Sequence, residues 1–140
     1  MSRLMFTLLI CPTVAFAQGQ LPNEVDLKAA YCIPIVRERV ENPLNPEKYP
    51  ESARKDIQDL NDRNAINLRR LNLYLLPRLS QLEVAPLVGA IKSAEEDLNR
   101  NKDDNRQCKK MSSVEELWKC METETFKRLQ SCNVVSFLPF

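Results

Sequence analysis

The sequence predicts an all-α protein, a single small bundle of about four helices stapled by two disulfides. Three observations carry this. Leu, Ala, Glu, Lys, Arg and Gln dominate the middle of the chain, all good helix formers, and only two glycines occur in 140 residues. Strand-type alternation of Val, Ile and Thr is missing. Four cysteines follow an N-terminal segment that reads as an export signal, so they are expected to fold where thiols oxidise.

The signal is read over residues 1–17. Arg3 gives a positive start, Leu4 to Phe16 is an apolar run too short to span a bilayer, and Ala15-Phe16-Ala17 is a small-x-small cleavage pattern. The mature chain is expected to begin at Gln18 and to stay out of the membrane. Leu8-Leu9-Ile10-Cys11 fails as a lipidation box because Ile10 is not small. Without Arg3 the chain holds 19 basic and 19 acidic residues, which gives no excess to grip nucleic acid. The absence of an Asn-x-Ser/Thr sequon favours a bacterial periplasm over a eukaryotic secretory route. The expected location is periplasmic or secreted.

The first helix is expected over 22–41, capped by Asn23, with Val25, Ala29, Cys32, Val36 and Val40 on its apolar face. Pro34 should kink or divide it. Residues 42–50 hold three prolines and read as a linker. The second helix, 51–76, carries Ala53, Ile57, Leu60, Asn64, Leu68, Leu71 and Leu75 as a stripe. Ile66, Leu73 and Leu76 widen it, so its second half is expected to be buried on more than one side.

The third helix, 86–99, carries Leu87, Ile91, Ala94 and Leu98 on one face. The all-polar run from Asn99 to Gln107 reads as a frayed end or a solvated loop. The fourth, 113–132, starts at Ser112 or Ser113, each with a Glu three residues on, and aligns Val114, Trp118, Met121, Thr125, Leu129 and Cys132. Residues 133–140 form an apolar tail, expected to dock on its own helices.

A continuous fourth helix ranks the disulfide pairings. Cys120 and Cys132 would lie about 18 Å apart along its axis, too far to bridge. Cys108 would have to span nearly the whole helix to reach Cys132, and the residues before Ser113 extend only about 17 Å. Cys32–Cys132 with Cys108–Cys120 remains, and it agrees with facing: Cys132 lies on the Trp118 side and Cys120 nearly opposite. No C-x-x-C and no histidine accompany the cysteines, so metal and redox roles are not favoured.

The lack of histidine also excludes Ser-His-Asp and Cys-His catalysis, and the scarcity of glycine argues against phosphate cradles. No catalytic residue, cofactor or metal site is expected. Asp56, Asp59 and Asp62 are the best carboxylate cluster, with Lys55 and Arg63 among them, and a solvated charged face is the simpler reading. Asn64 interrupts an apolar stripe, as a register-fixing or partner-binding Asn does. The candidate partner-binding residues are Asn64, Phe126, Phe137, Leu138 and Phe140. Trp118 and Met121 are expected in the core.

Leu60-Asn61, followed by Cys108 and then by Cys120, Thr125 and Arg128 in a Cys-x4-Thr-x2-Arg segment, resembles the exported LprI-like domains associated with lysozyme inhibition. The resemblance covers Leu60 to Leu129. It departs from the family where Glu95 to Asn101 replaces Gln-x-x-Trp and where Asn64 replaces a Tyr. It implies a small disulfide-bonded helical domain and, as a function, inhibition of a wall-degrading enzyme. The residues themselves point to an exported, non-enzymatic module that binds another protein. A carboxylate-dependent hydrolase built on Asp56, Asp59 and Asp62 is the alternative from a different class.

Overall fold

A computed structural model of the chain describes residues 19–139. The expected signal peptide and Phe140 lie outside the described residues. Within them the chain is helical and has no strand: α1 Glu24–Glu41, α2 Glu51–Leu75, α3 Val84–Cys108, α4 Val114–Met121 and α5 Glu124–Gln130. Short 3-10 turns occupy Pro46–Lys48 and Leu76–Arg78.

The centre of the molecule is α1, with α2 packed on one side and α3 on the other. The nearly unbroken apolar run from Ala29 to Val36 explains this, because Ala29, Ala30, Cys32, Ile33, Ile35 and Val36 are all buried and only Tyr31 and Pro34 are half-exposed. Pro34 does not divide the helix. It only removes the donor that the Ala30 carbonyl would otherwise use.

The expectation of two-sided burial therefore belongs to α1 and fails for α2. Ile66 is exposed, and Leu73 and Leu76 are each 61% exposed, while Leu71, Tyr74 and Leu75 face α1.

Two buried carboxylates hold the layers in register. Asp26, fully buried near the start of α1, accepts the Asn23 N–H at 3.0 Å in a capping box. It also accepts the Tyr74 hydroxyl at 2.9 Å and a two-pronged Arg78 at 2.8 and 3.1 Å, which fixes α1 antiparallel to α2. Asp97 on α3 accepts Tyr31 of α1 at 2.8 Å and both prongs of Arg128 of α5 at 2.9 and 2.7 Å.

Burial pushes the Asp26 carboxyl up, but Arg78, Asn23 and Tyr74 together hold it below its ordinary value. Arg128, helped by Tyr31, holds Asp97 low against burial. Burial and the Asp97 carboxylate raise the Tyr31 phenol to about 12.

Several expected boundaries move, with α1 starting at Glu24 and α2 ending at Leu75. Helix α3 starts two residues earlier and runs through the polar stretch to Cys108, so residues 99–107 are neither a loop nor frayed. Its end is tied down by Cys108, which is buried and bonded to Cys120, and by Lys102 paired with Glu38 of α1 at 2.9 Å. The expected fourth helix is two helices. Thr123 leaves helical geometry and caps α5 by accepting the Phe126 N–H at 3.1 Å. Ser113 caps α4.

The cysteine pairs are Cys32–Cys132 and Cys108–Cys120, with Cα separations of 5.4 and 5.6 Å. The expected pairing is found although its premise, a continuous helix over 113–132, is not. Cys132 sits in the turn after α5, free to reach α1, and α4 alone presents Cys120 to the end of α3.

The tail docks on the chain itself. Val135 and Leu138 are buried in the core, and Lys28 lies over the Phe137 ring at 4.7 Å. The Asn67 amide donates to the Asn133 carbonyl at 3.0 Å and ties the tail's root to α2.

Candidate functional site

Of the residues proposed for a partner, Leu138 is unavailable, because the docked tail buries it in the core. Phe126 and Phe137 are half-buried, and Phe137 packs against the core cluster. Phe140 lies outside the described residues. Trp118, expected in the core, is 59% exposed on α4, with Val114 and Met111 also exposed. The short α4 is held to α3 by the Cys108–Cys120 bridge, and its Trp118 side is left uncovered.

Asn64 is the residue around which a site forms. It is 6% exposed, and its amide makes no hydrogen bond among the described residues. It lines a cleft of about 340 Å³ with Arg39, Asn42, Leu44, Leu60, Asn61, Gln130 and Asn133. Three elements build this wall: the last turn of α1, the first half of α2, and the turn after α5 that Cys132 anchors.

The linker is fastened over the cleft by Asn61, whose amide accepts the Leu44 N–H at 3.2 Å and donates to the Leu44 carbonyl at 2.8 Å. Arg39 donates to the Asn133 side-chain carbonyl and, at 3.1 Å, to the Leu129 backbone carbonyl. The Asn133 amide donates in turn to the Gln130 side-chain carbonyl. No carboxylate pairs with Arg39 among the described residues, and burial alone lowers its guanidinium from the ordinary value.

A second concavity is built on the same two helices, α1 and α2. This groove, about 430 Å³, is apolar and is lined by Val40, Ala65, Leu68, Leu73, Leu76 and Pro77, with Arg69 and Asn72 at its edge. Asp56, Asp59 and Asp62 line a separate shallow surface beside Arg63 and Ile66, all three exposed.

The sequence singled out Asn64 but missed Arg39, whose lack of an acidic partner is a matter of tertiary position. It also missed both buried carboxylates, although the Asn23/Asp26 spacing of a capping box is a signal that could have found Asp26. The residues that carry the family resemblance divide in the structure. Cys108, Cys120, Thr125 and Arg128 are framework: two bonded cysteines, a buried Thr and the clamp on Asp97. Leu60 and Asn61 belong to the cleft.

Fold and site together define a disulfide-stapled helical module with an amide-lined cleft and an apolar groove on the same two helices. Comparison with family models, curated proteins and solved structures found no match. No described helix is long and apolar enough to cross a membrane, and no described group of His, Cys, Asp or Glu is arranged to hold a metal ion.

Proposed function

We propose that the chain is an exported, non-enzymatic module that binds another protein through its α1–α2 face. One observation carries this reading. Leu73 and Leu76 line a groove that the chain's own tail, docked elsewhere on the core, does not cover. Large side chains left in water beside a concavity are the ordinary mark of a partner surface.

The test is a photo-crosslinking residue placed at Leu73, or separately at Trp118, in the mature oxidised protein exposed to periplasmic or culture-fluid extract. Position 73 is expected to give an adduct with one discrete protein. Unlabelled wild type should compete it away, and Leu76→Glu should abolish it. An adduct only with a second copy, or no competable adduct at either position, refutes the reading.

Inhibition of a wall-degrading enzyme is the narrower version, supported by Leu60 and Asn61 lining the cleft built on the same two helices. Titrating a lysozyme with the oxidised protein reads it directly. A dose-dependent fall in hydrolysis rate is expected, and an unchanged rate at saturating protein excludes it. The hydrolase alternative has little support, since Asp56, Asp59 and Asp62 lie exposed along one helix. Substituting each singly tests that version through any hydrolytic rate the protein has.

A further inference from the structure

We propose that the Asn64 cleft binds a carboxylate carried by the partner, with the Arg39 guanidinium and the Asn64 amide as its donors. The inference deepens the protein-binding reading and rests on it only for the source of the carboxylate.

The argument is a count of what the cleft leaves unused. Three of its five side-chain carbonyls are taken among the described residues, those of Asn42 and Asn64 being the exceptions. The Asn61 side-chain carbonyl receives the Leu44 N–H, those of Asn133 and Gln130 receive Arg39 and Asn133, and the Leu129 carbonyl receives Arg39. Its donors are not. Arg39 presents a planar fork of five N–H groups and two acceptors are found for it, while both Asn64 N–H groups lack a partner among the described residues. The Asn64 residue is nearly buried, yet its amide atoms are not sealed from solvent, so they are open to a group that enters the cleft.

The cleft therefore offers surplus donors around one uncompensated positive charge, and the complement of that is an anion rich in acceptors. One Arg without a second cation suits a singly charged planar carboxylate, whose two oxygens match the guanidinium fork, better than a doubly charged phosphate. Leu44 and Leu60 give the cleft two apolar walls, so the group bearing the carboxylate should have a small apolar part. A free C-terminus and an acidic side chain share this chemistry.

The probes are N-acetyl-alanyl-leucine, its C-terminal amide, and N-acetyl-glutamyl-leucine amide. Each is titrated into the nitrogen-labelled, oxidised protein while the Arg39 side-chain N–H and Asn64 amide signals are followed by NMR. The free acid is expected to give saturable shifts confined to the cleft, in the millimolar range open to a compact ligand with one ion pair. Asn64→Asp keeps the size and sets a negative charge against the ligand. It should weaken binding by about tenfold or more, the loss of one charge-assisted hydrogen bond. Asn64→Ala should weaken it similarly, with the backbone amide spectrum reporting that each variant is folded.

Binding of the free acid alone assigns a C-terminus, and binding of the glutamyl probe as well assigns carboxylates generally. Equal binding of the uncharged amide, unchanged affinity in both Asn64 variants, or shifts scattered away from the cleft overturn the proposal. The two readings fail separately. A competable Leu73 adduct without carboxylate binding sinks the cleft proposal alone, and carboxylate binding without any adduct sinks the protein-binding reading alone.

Discussion

Asp26→Asn is the sharpest probe of the framework, because the substitution is isosteric and the structure dictates its cost. One carboxylate oxygen accepts Tyr74 and one prong of Arg78, and the other accepts the Asn23 N–H and the second prong. An amide nitrogen on the Asn23 side leaves two donors facing a donor. On the Tyr74 side the phenol can turn to accept, but one Arg78 prong faces a donor and the bonds to the other atom lose their charge. Hydrogen bonds to a charged acceptor contribute roughly 1.5–3 kcal/mol each. The Arg78 side chain is 36% exposed, so water recovers part of its loss and the low end applies. Two bonds then make a loss of about 3 kcal/mol at neutral pH. With roughly 2.1 cal/mol/K of unfolding entropy per residue over about 120 residues, that is a fall in Tm of about 12 °C.

The pH dependence makes the test specific. Asp26 titrates below its ordinary value in the fold, so its contribution is fully present above 3.8 and disappears as pH falls through the folded value. Asn does not titrate. Denaturant melts of both proteins, disulfides intact, should show a gap that is constant from neutral pH down to about pH 5 and then closes in acid. A gap under about 1 kcal/mol at pH 7, or one that persists unchanged in acid, would refute the reasoning.

Three further outcomes are expected. Stability should also fall in alkali as pH rises from the ordinary phenol value of 10.0 through about 12, since the raised Tyr31 pKa favours the fold only while the phenol is neutral; a difference titration of phenolate absorbance, folded against unfolded, locates this limb. Gly19→Ala should raise hydrogen exchange at Gln20 and Glu83, because an added Cβ would lie 2.9 Å from the Leu82 carbonyl carbon and the Glu83 nitrogen, where the Gln20 N–H and carbonyl now bond Gln81 and Glu83 at 2.8 and 2.9 Å; unchanged exchange would show that the two segments part at no cost. Leu138→Ala should cost about 2 kcal/mol, the low end for a core Leu because a chain terminus relaxes easily, and an unchanged melting temperature would mean that the tail is not docked in solution.

Periodicity made α1, α2 and the start of α3 legible, and Asn23, Ser112 or Ser113 marked helix starts, because these signals are local. The break at Thr123 was obscured because Trp118, Met121, Thr125 and Leu129 keep one helical phase across it. The phase shows which residues share a stripe, but a single hydroxyl competing for a backbone N–H can restart the helix without disturbing it. Trp118 was misplaced for the same reason, since once α4 stands as a separate eight-residue helix its stripe need not face the core. Asn64 was legible as an apolar stripe's interruption. Arg39 was not, because an unpaired cation is recognised only by the carboxylates that fail to reach it from other elements.

The helix that ends up in the middle is made before the described elements that enclose it. Synthesis releases α1 with its apolar run from Ala29 to Val36 before any of the elements that enclose it exist. Its last cover, Val135 and Leu138, arrives at the far end of the chain, and the Cys32–Cys132 bond joins residues 100 apart in sequence. No fragment stopping short of the tail can bury that helix on all sides, so the nascent polypeptide carries an unsheltered adhesive segment for nearly the whole of its elongation. Cys32 meanwhile waits as a free thiol beside two later cysteines that are the wrong partners.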